Sequence, residues 1–498
     1  MNITVIILII LTFTSRFVGV AREMVLAYFY GASRVSDAYL ISLTIPTVIL
    51  GFIAAGISTG YIPIYRKLEL KNQEQQFTNQ VMNMVLLLCA VIFLIAMIFT
   101  PQLVWMFASG FDVQTHRLTV IFTRITLVAV FLTGSANILQ GFLQVKEKFF
   151  AASLVGIPFN IVIMIFIFIS AYTQVYWLAI GSVLAIVAQV VYLYLLARKQ
   201  GFRYQRKLNI KDESLHQMII LAFPVILGNS VEQVDRLVDK TLASHYAVGG
   251  ISALTYASRI MTAIQGIFIA SVLTVLYPKI AQMAAKQDIK GMKQSLKESI
   301  IGVSLFIIPA IVAVMIFSEP IVALLFGRGA FDEAAVSMTA GILFFYIASM
   351  FGSGIQSLLS RAFYSMQDTK TPMINATIAI ILNITFNLIL APIMGITGLA
   401  MANTLAATIS MILMYKSLHG KIGGLNLKVI LWALAKIIFA TLIMSIFSLL
   451  TYDSLLDLGS NLAFILAAMV GVISYVILIL LLKFEEVQLL LSPLKKKT

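Results

Sequence analysis

The sequence predicts an all-α polytopic membrane protein: fourteen transmembrane helices, arranged as two parallel six-helix bundles around a central cavity, plus two C-terminal helices. Three observations predict it. Of 498 residues, 60% are hydrophobic and only 11% charged, whereas a soluble domain carries roughly 25% charged residues. Apolar runs of membrane-crossing length recur along the whole chain. The positive charges gather in alternate connectors between those runs. A soluble enzyme, a nucleic-acid binder and a disordered scaffold are therefore excluded as first readings, and the net charge of +14 belongs to connectors, not to a nucleic-acid surface.

A helix crosses the hydrocarbon layer with about 20 apolar residues. Breaking the chain at polar and Gly/Pro connectors puts spans at about residues 3–30, 36–63, 79–108, 117–143, 150–170, 176–197, 216–245, 251–283, 298–326, 335–363, 371–391, 396–416, 429–451 and 460–483. Alternate connectors hold Arg66, Lys67 and Lys71; Lys146 and Lys148; Arg198 to Lys211; Lys286 to Lys297; Lys370; and Lys416 to Lys428, with Lys495, Lys496 and Lys497 in the tail. The others contribute Arg34, Arg117 and Arg328 and otherwise hold acids such as Asp112, Asp332, Asp453 and Asp457. Positive charge marks the cytoplasmic side, so both termini are expected there. The first apolar run lacks a basic leader and runs into Arg16 and Arg22, which reads as a retained helix and not a cleaved signal. The single cysteine, Cys89, and the four histidines lack metal-ligand spacing.

The chain also repeats itself at a spacing of roughly 220 residues, long enough for a helical bundle. MIFTPQLVWMFASGFD from Met97 matches MIFSEPIVALLFGRGAFD from Met315, AIGSVLA from Ala179 matches AMANTLA from Ala400, and Pro63 matches Pro278. Spans one to six thus resemble spans seven to twelve. Six is even, so the halves share one orientation, and such parallel repeats bind substrate at their interface. The expected organisation is a six-helix bundle over 1–200, a basic cytoplasmic linker over 201–215, a second bundle over 216–420, and helices thirteen and fourteen with the basic tail over 421–498.

Ionisable groups inside spans are expensive and usually face a cavity or a partner. Span one holds Arg16, Arg22 and Glu23, and Asp37 opens span two. Span seven holds Glu232, Asp235, Arg236, Asp239 and Lys240, and span eight holds Arg259. Glu232, Asp235/Arg236 and Asp239 recur at i, i+3/i+4 and i+7, along one helix face. Arg16 and Glu23 share a face, while Arg22 joins them only if span one bends, for which Gly19 offers a point. Spans one and seven hold equivalent places in the two halves, so their charges are expected to face each other. Guanidinium groups on a cavity wall suit an anion, and phosphate above all. The competing reading is internal neutralisation: Arg22 with Asp37, Arg236 with Glu232, Arg259 with Asp239. Span eleven adds Asn383 and Asn387, one turn apart, and span twelve adds Asn403 and Thr404. Their oxygens beside a carboxylate suit Na⁺, although helix–helix hydrogen bonding is the commoner use of membrane Asn.

The run SRFVGVAREMVLAYFYGASRVSDAYLISLTIP (Ser15 to Pro46) resembles the opening of the MurJ/MviN lipid II flippases, within the multidrug/oligosaccharidyl-lipid/polysaccharide exporter superfamily. YASRIMTAIQGIF (Tyr256 to Phe268) and LVDKTLAS (Leu237 to Ser244) resemble the same pattern, and the likeness extends over the whole chain. It implies that Arg16, Arg22 and Arg259 contact a lipid-linked pyrophosphate, with Asp37 in support. The charged face of span seven adds Glu232 and Arg236 to that substrate set. The resemblance also implies a cation site on Asp235 or Asp239 with Asn383, Asn387 and Thr404, and a groove for the polyprenyl tail on the last two helices. One departure stands out. Many members carry an Arg pair and a Glu in span two after the Pro equivalent to Pro46, where this chain has Leu50, Gly51 and Ala55.

The expected function is translocation of undecaprenyl-pyrophosphate-linked lipid II to the outer leaflet by alternating access, driven by membrane potential or an ion gradient. The expected partners are that lipid and the surrounding membrane lipids, with no nucleic acid, and the expected state is a monomer. No cofactor is expected beyond Na⁺ or H⁺ as coupling ion. The alternatives are a flippase for another lipid-linked glycan (capsule, O-antigen, teichuronic acid or spore cortex) and a drug/cation antiporter of the same superfamily, whose cavity would be acidic. A membrane glycosyltransferase would need a sizeable extramembrane loop, and the connectors reach only about 20 residues, so no enzymatic activity is expected.

Overall fold

A computed structural model describes residues 3–148, 154–209 and 211–482. The basic tail and the start of span five lie outside the described residues. Helix is the only regular structure among them. In chain order the helices are α1 (Ile3–Tyr30), α2 (Arg34–Glu69), α3 (Glu74–Ile98), α4 (Thr100–Phe107), α5 (Val113–Thr126), α6 (Ala129–Val145), α7 (Gly156–Tyr172), α8 (Tyr176–Lys199), α9 (Glu213–Tyr246), α10 (Gly250–Ala285), α11 (Ile289–Ile316), α12 (Ser318–Phe326), α13 (Glu333–Ser365), α14 (Lys370–Met394), α15 (Ile396–Ile422), α16 (Leu427–Ser454) and α17 (Ser460–Leu481). Among the described residues, eight are long and apolar enough to span a membrane, or nine if α5 and α6, bent by 45°, form one broken span. The chain is a multi-pass membrane protein, as its composition requires.

The repeated segments adopt the same local structure. Phe99 ends α3 by donating to the Ile95 carbonyl, and the short α4 follows; Phe317 ends α11 by donating to the Ala313 carbonyl, and the short α12 follows. Each then turns into a helix opened by an aspartate. Asp112 accepts from the Gln114 and Thr115 backbone amides, and Asp332 accepts from that of Ala335. A carboxylate at an N-cap satisfies donors that the helix leaves unpaired.

Two compact units form, one from Met1–Ser252 with Arg328–Ala335, the other from Ala253–Gly327 with Val336–Thr498. In the first, α9 packs along α2, α3 and α4, so span seven joins the unit built on spans one to six. A methyl on Gly60 would lie 2.9 Å from the Met218 carbonyl oxygen, and one on Gly51 would lie 3.2 Å from the Gln233 amide nitrogen. The position that departs from the family pattern therefore lies against α9, at a contact that a small residue permits. One core cluster of this unit reaches its basic end, where Tyr61 stacks on Phe77 and bonds Thr78 at 2.8 Å. There Glu69 joins Lys146 (2.9 Å) and Arg66 (3.0 Å). Those partners, Lys146 first, hold its carboxyl below the usual range.

In the second unit α11, α16 and α17 share a core around Ile301, Ile437 and Ile479. Lipid is as apolar as the side chains, so buried polar bonds and close backbone approach carry the specificity of such packing. Tyr475 donates to the Leu305 carbonyl (2.7 Å), Gln265 to Ser353 (3.2 Å) and Thr404 to the Phe345 carbonyl (2.6 Å).

Candidate functional site

Two charged residues of span one, Arg22 and Glu23, meet. Arg22 makes an ion pair with Glu23, whose side chain is buried, and its guanidinium lies 5.9 Å from the centroid of the Phe159 ring on α7. Internal neutralisation thus occurs at Arg22, but with Glu23 and not with Asp37. A cation seated on an aromatic face and beside a carboxylate keeps a fixed orientation. α1 itself is held to α7, with Tyr30 donating to Ser170 at 2.8 Å. The Arg16 and Glu232 side chains lie outside the described residues.

Asp37 has another neighbourhood. It sits in the first turn of α2, buried to 1% exposure. Its Oδ2 accepts the Gly249 amide (2.8 Å), and its Oδ1 accepts both the Ser252 amide and the Ser252 hydroxyl (2.7 Å each). Both oxygens are thus committed to the first turn of α10, where backbone amides point outward and favour a negative charge. Hydrogen bonds to an ionised group contribute about 1.5–3 kcal/mol each, so this is a strong latch.

Neighbouring connectors tighten the same end. Gly31 and Gly249 both hold positive φ (59° and 78°). A methyl there would lie 2.3 Å from the Ala330 carbonyl oxygen and 2.2 Å from that of Ala32. Ala330 donates to the Tyr28 carbonyl (2.8 Å), Ser109 bonds His245 (2.8 Å), Gly110 donates to Ser244 (3.0 Å) and Thr241 to the Met106 carbonyl (2.8 Å). Arg34 meets Asp112 at 3.1 Å across the surface. The Thr115 backbone amide, then the Thr115 hydroxyl and Arg34, hold the Asp112 carboxyl below the usual range. Four connectors, those after α1, α4, α9 and α12, are thus tied together at the end opposite the basic one. Sequence reading singled out Asp37 but missed Gly249 and Ser252. The signal available was the Gly-Gly pair at 249–250 opening an apolar span.

On α9, Arg236 is exposed while Asp235, Asp239 and Lys240 are half-buried. Arg259 is exposed on the third turn of α10. Asn383 and Asn387 are buried on α14, which packs along α15. The Thr404 hydroxyl is already bonded to the Phe345 carbonyl, the helix–helix use of such a group. Among the described residues no cluster of three His, Cys, Asp or Glu side chains could hold a metal.

The fold is shared with a solved transporter whose title places it in the MOP superfamily. An inward-facing multidrug resistance MATE family transporter of that superfamily superposes with a TM-score of 0.69 over 83% of this chain and 95% of its own, at 13% identity. The sequence shows the family. Residues 26–470 match the model described as "Lipid II flippase MurJ", and the chain belongs to that family. Proteins named "Probable lipid II flippase MurJ" match from Thermotoga maritima (27% identity, 96% of each chain) and Vibrio cholerae (25% identity, 95% of this chain and 94% of the relative). A structure titled lipid II flippase MurJ, inward closed conformation, superposes with a TM-score of 0.83 at 25% identity, over 95% of this chain and 98% of that one.

Proposed function

We propose that this chain translocates lipid II, an undecaprenyl-pyrophosphate-linked peptidoglycan precursor, from the cytoplasmic to the outer leaflet of a bacterial cytoplasmic membrane. The observation that carries the reading is the family match over residues 26–470. Fourteen spans, with both termini and the basic connectors cytoplasmic, complete the proposed topology, and the chain acts as a monomer.

In this reading Arg16, Arg22 and Arg259 grip the pyrophosphate. Arg22 is suited to it by its setting, since Phe159 and Glu23 fix the plane of its fork. Glu232 and Arg236 border the same path. The latch at Asp37 acts as the outer gate. It joins α2, from the first repeat, to the first turn of α10, from the second, so outward opening has to break three charge-assisted bonds. Asp37 then serves the substrate through the gate. Membrane potential or a Na⁺ or H⁺ gradient drives the cycle, with Asp235, Asp239, Asn383, Asn387 and Thr404 as the candidate coupling set. Gly51 favours a second reading, in which the head group belongs to another lipid-linked glycan. Where many relatives carry an Arg pair, the chain has a small residue packed against Gln233.

The test is translocation of fluorescent lipid II in proteoliposomes, read as loss of protection from an impermeant quencher. Protein-dependent loss of protection is expected. Translocation of a different lipid-linked glycan, with lipid II left protected, would move the assignment to the second reading.

A further inference from the structure

The connector from α8 to α9 lies flat on the protein. Between a turn at Gly201 and a tight turn in which Lys207 donates to the Gln205 carbonyl, this strap runs along the first turns of α3, pinned by a ladder of side-chain amides. Gln75 reaches the Gly201 and Arg203 carbonyls at 3.5 Å. Asn79 donates to the Arg203 carbonyl (2.9 Å) and accepts the Gln205 amide (2.8 Å). Asn83 donates to the Gln205 and Lys207 carbonyls (2.8 and 3.0 Å) and accepts the Tyr204 hydroxyl (2.7 Å). The register has a simple cause. Side chains four apart on a helix advance about 6 Å, and alternate residues of an extended chain advance about 6.6 Å. Phe202 anchors the start of the strap, buried against Phe142 and Tyr194. Asp212 anchors the end by capping α9.

The same row of α3 continues as Leu87, Val91 and Ile95, which are 50%, 48% and 54% exposed. Within one turn, therefore, the row changes from amides holding the strap to bare apolar side chains. On a membrane span such a row faces acyl chains, so the strap ends at the boundary between acyl chains and headgroups. Arg203, Arg206 and Lys207 are exposed there, and no ion pair engages them among the described residues. Tyr204 and Leu208 are exposed beside them. The nearest acids are otherwise occupied or set apart: Asp212 caps α9, Glu213 accepts from Gln217, and Glu74 is half-buried at the start of α3.

We propose that this pinned strap is a docking site for anionic phospholipid headgroups. Guanidinium and ammonium groups take the headgroup phosphates, and Tyr204 and Leu208 sit at the interface, where amphipathic aromatics are favoured. The amide ladder holds these side chains at one depth, which a free linker of the same composition would not do.

The test uses the full-length protein with Tyr204→Trp in nanodiscs, reading the extra tryptophan emission against the unsubstituted protein. Brominated phosphatidylglycerol is expected to quench it at least twofold more than brominated phosphatidylcholine at equal mole fraction. The excess should disappear in the R203Q/R206Q/K207Q variant and in 0.5 M salt. In parallel, Asn79→Ala with Asn83→Ala should speed tryptic cleavage of the strap by about tenfold or more, with the protein still monodisperse. Equal quenching by both lipids, or no quenching by either, would overturn the proposal. So would strap cleavage as fast in the unsubstituted protein as in the double alanine variant.

Discussion

Replacing Asp37 by Asn removes the charge from a carboxylate whose two oxygens face only donors. Whichever way the new amide turns, one end becomes an NH₂ group directed at a backbone N–H. Turned the better way, the carbonyl keeps the Ser252 amide and hydroxyl, now as neutral bonds weaker by about 1 kcal/mol each. The Gly249 amide, buried and facing another donor, loses its partner at about 1–3 kcal/mol. The sum is about 3–5 kcal/mol, or roughly 100- to 4000-fold in the closing equilibrium at about 1.4 kcal/mol per factor of ten. Hydrogen exchange of the peptide covering Gly249 to Ser252 reads this directly. The exchange rate is expected to rise by on the order of 100-fold in Asp37→Asn, while the Glu69–Lys146 end, a full helix length away, keeps its protection. Exchange within threefold of the unsubstituted protein would refute the latch as a source of closure.

Three further outcomes are expected. A cysteine at the exposed Gly459 should react with an impermeant label from outside intact cells, whereas one at Gln205 should not; outside labelling of Gln205 would break the proposed topology. Na⁺ should raise the melting temperature of the purified protein, and Asp239→Ala should abolish that rise; an unsubstituted protein indifferent to Na⁺ would leave Asn383 and Asn387 as helix contacts only. Lys421, 2.6 Å from Asp368, is the first of the causes that hold the Asp368 carboxyl at about 2. The pair therefore stabilises the fold above the ordinary value of 3.8 and is lost as pH falls towards 2. Lys421→Gln should cost less than about 1 kcal/mol for so accessible a pair, constant from pH 8 to 5 and shrinking from pH 4 to 2; a melting difference that widened with acid would contradict this.

The architecture was legible because membrane burial writes itself into composition. Apolar runs must be long, and connectors must hold the charge, so the helical class followed from the sequence. The broken helix after Met97 and its counterpart after Met315 were legible for a similar reason, since Pro and a capping Asp punctuate both. Residue partners were not. Opposite charge alone suggests Arg22 with Asp37, yet Arg22 pairs with the adjacent Glu23 and Asp37 with amides about 210 residues away. Backbone donors carry no side-chain signature, so neither Gly249 nor the carbonyls held by Asn79 and Asn83 could be read from residue identity. Small residues such as Gly51 and Gly60 mark helix contacts, but nothing in the sequence says which helix they meet.

The central claim is that this chain supplies lipid II translocation through an arginine grip, and growth of a bacterial strain depleted of its own lipid II flippase tests it most directly. Expression of the unsubstituted chain is predicted to restore growth. Arg16→Lys and Arg259→Lys, at equal membrane levels, are predicted to fail, because a point charge cannot reproduce a two-pronged donor to pyrophosphate. Failure of the unsubstituted chain at normal membrane levels would contradict the lipid II assignment, and full rescue by both lysine variants would contradict the grip.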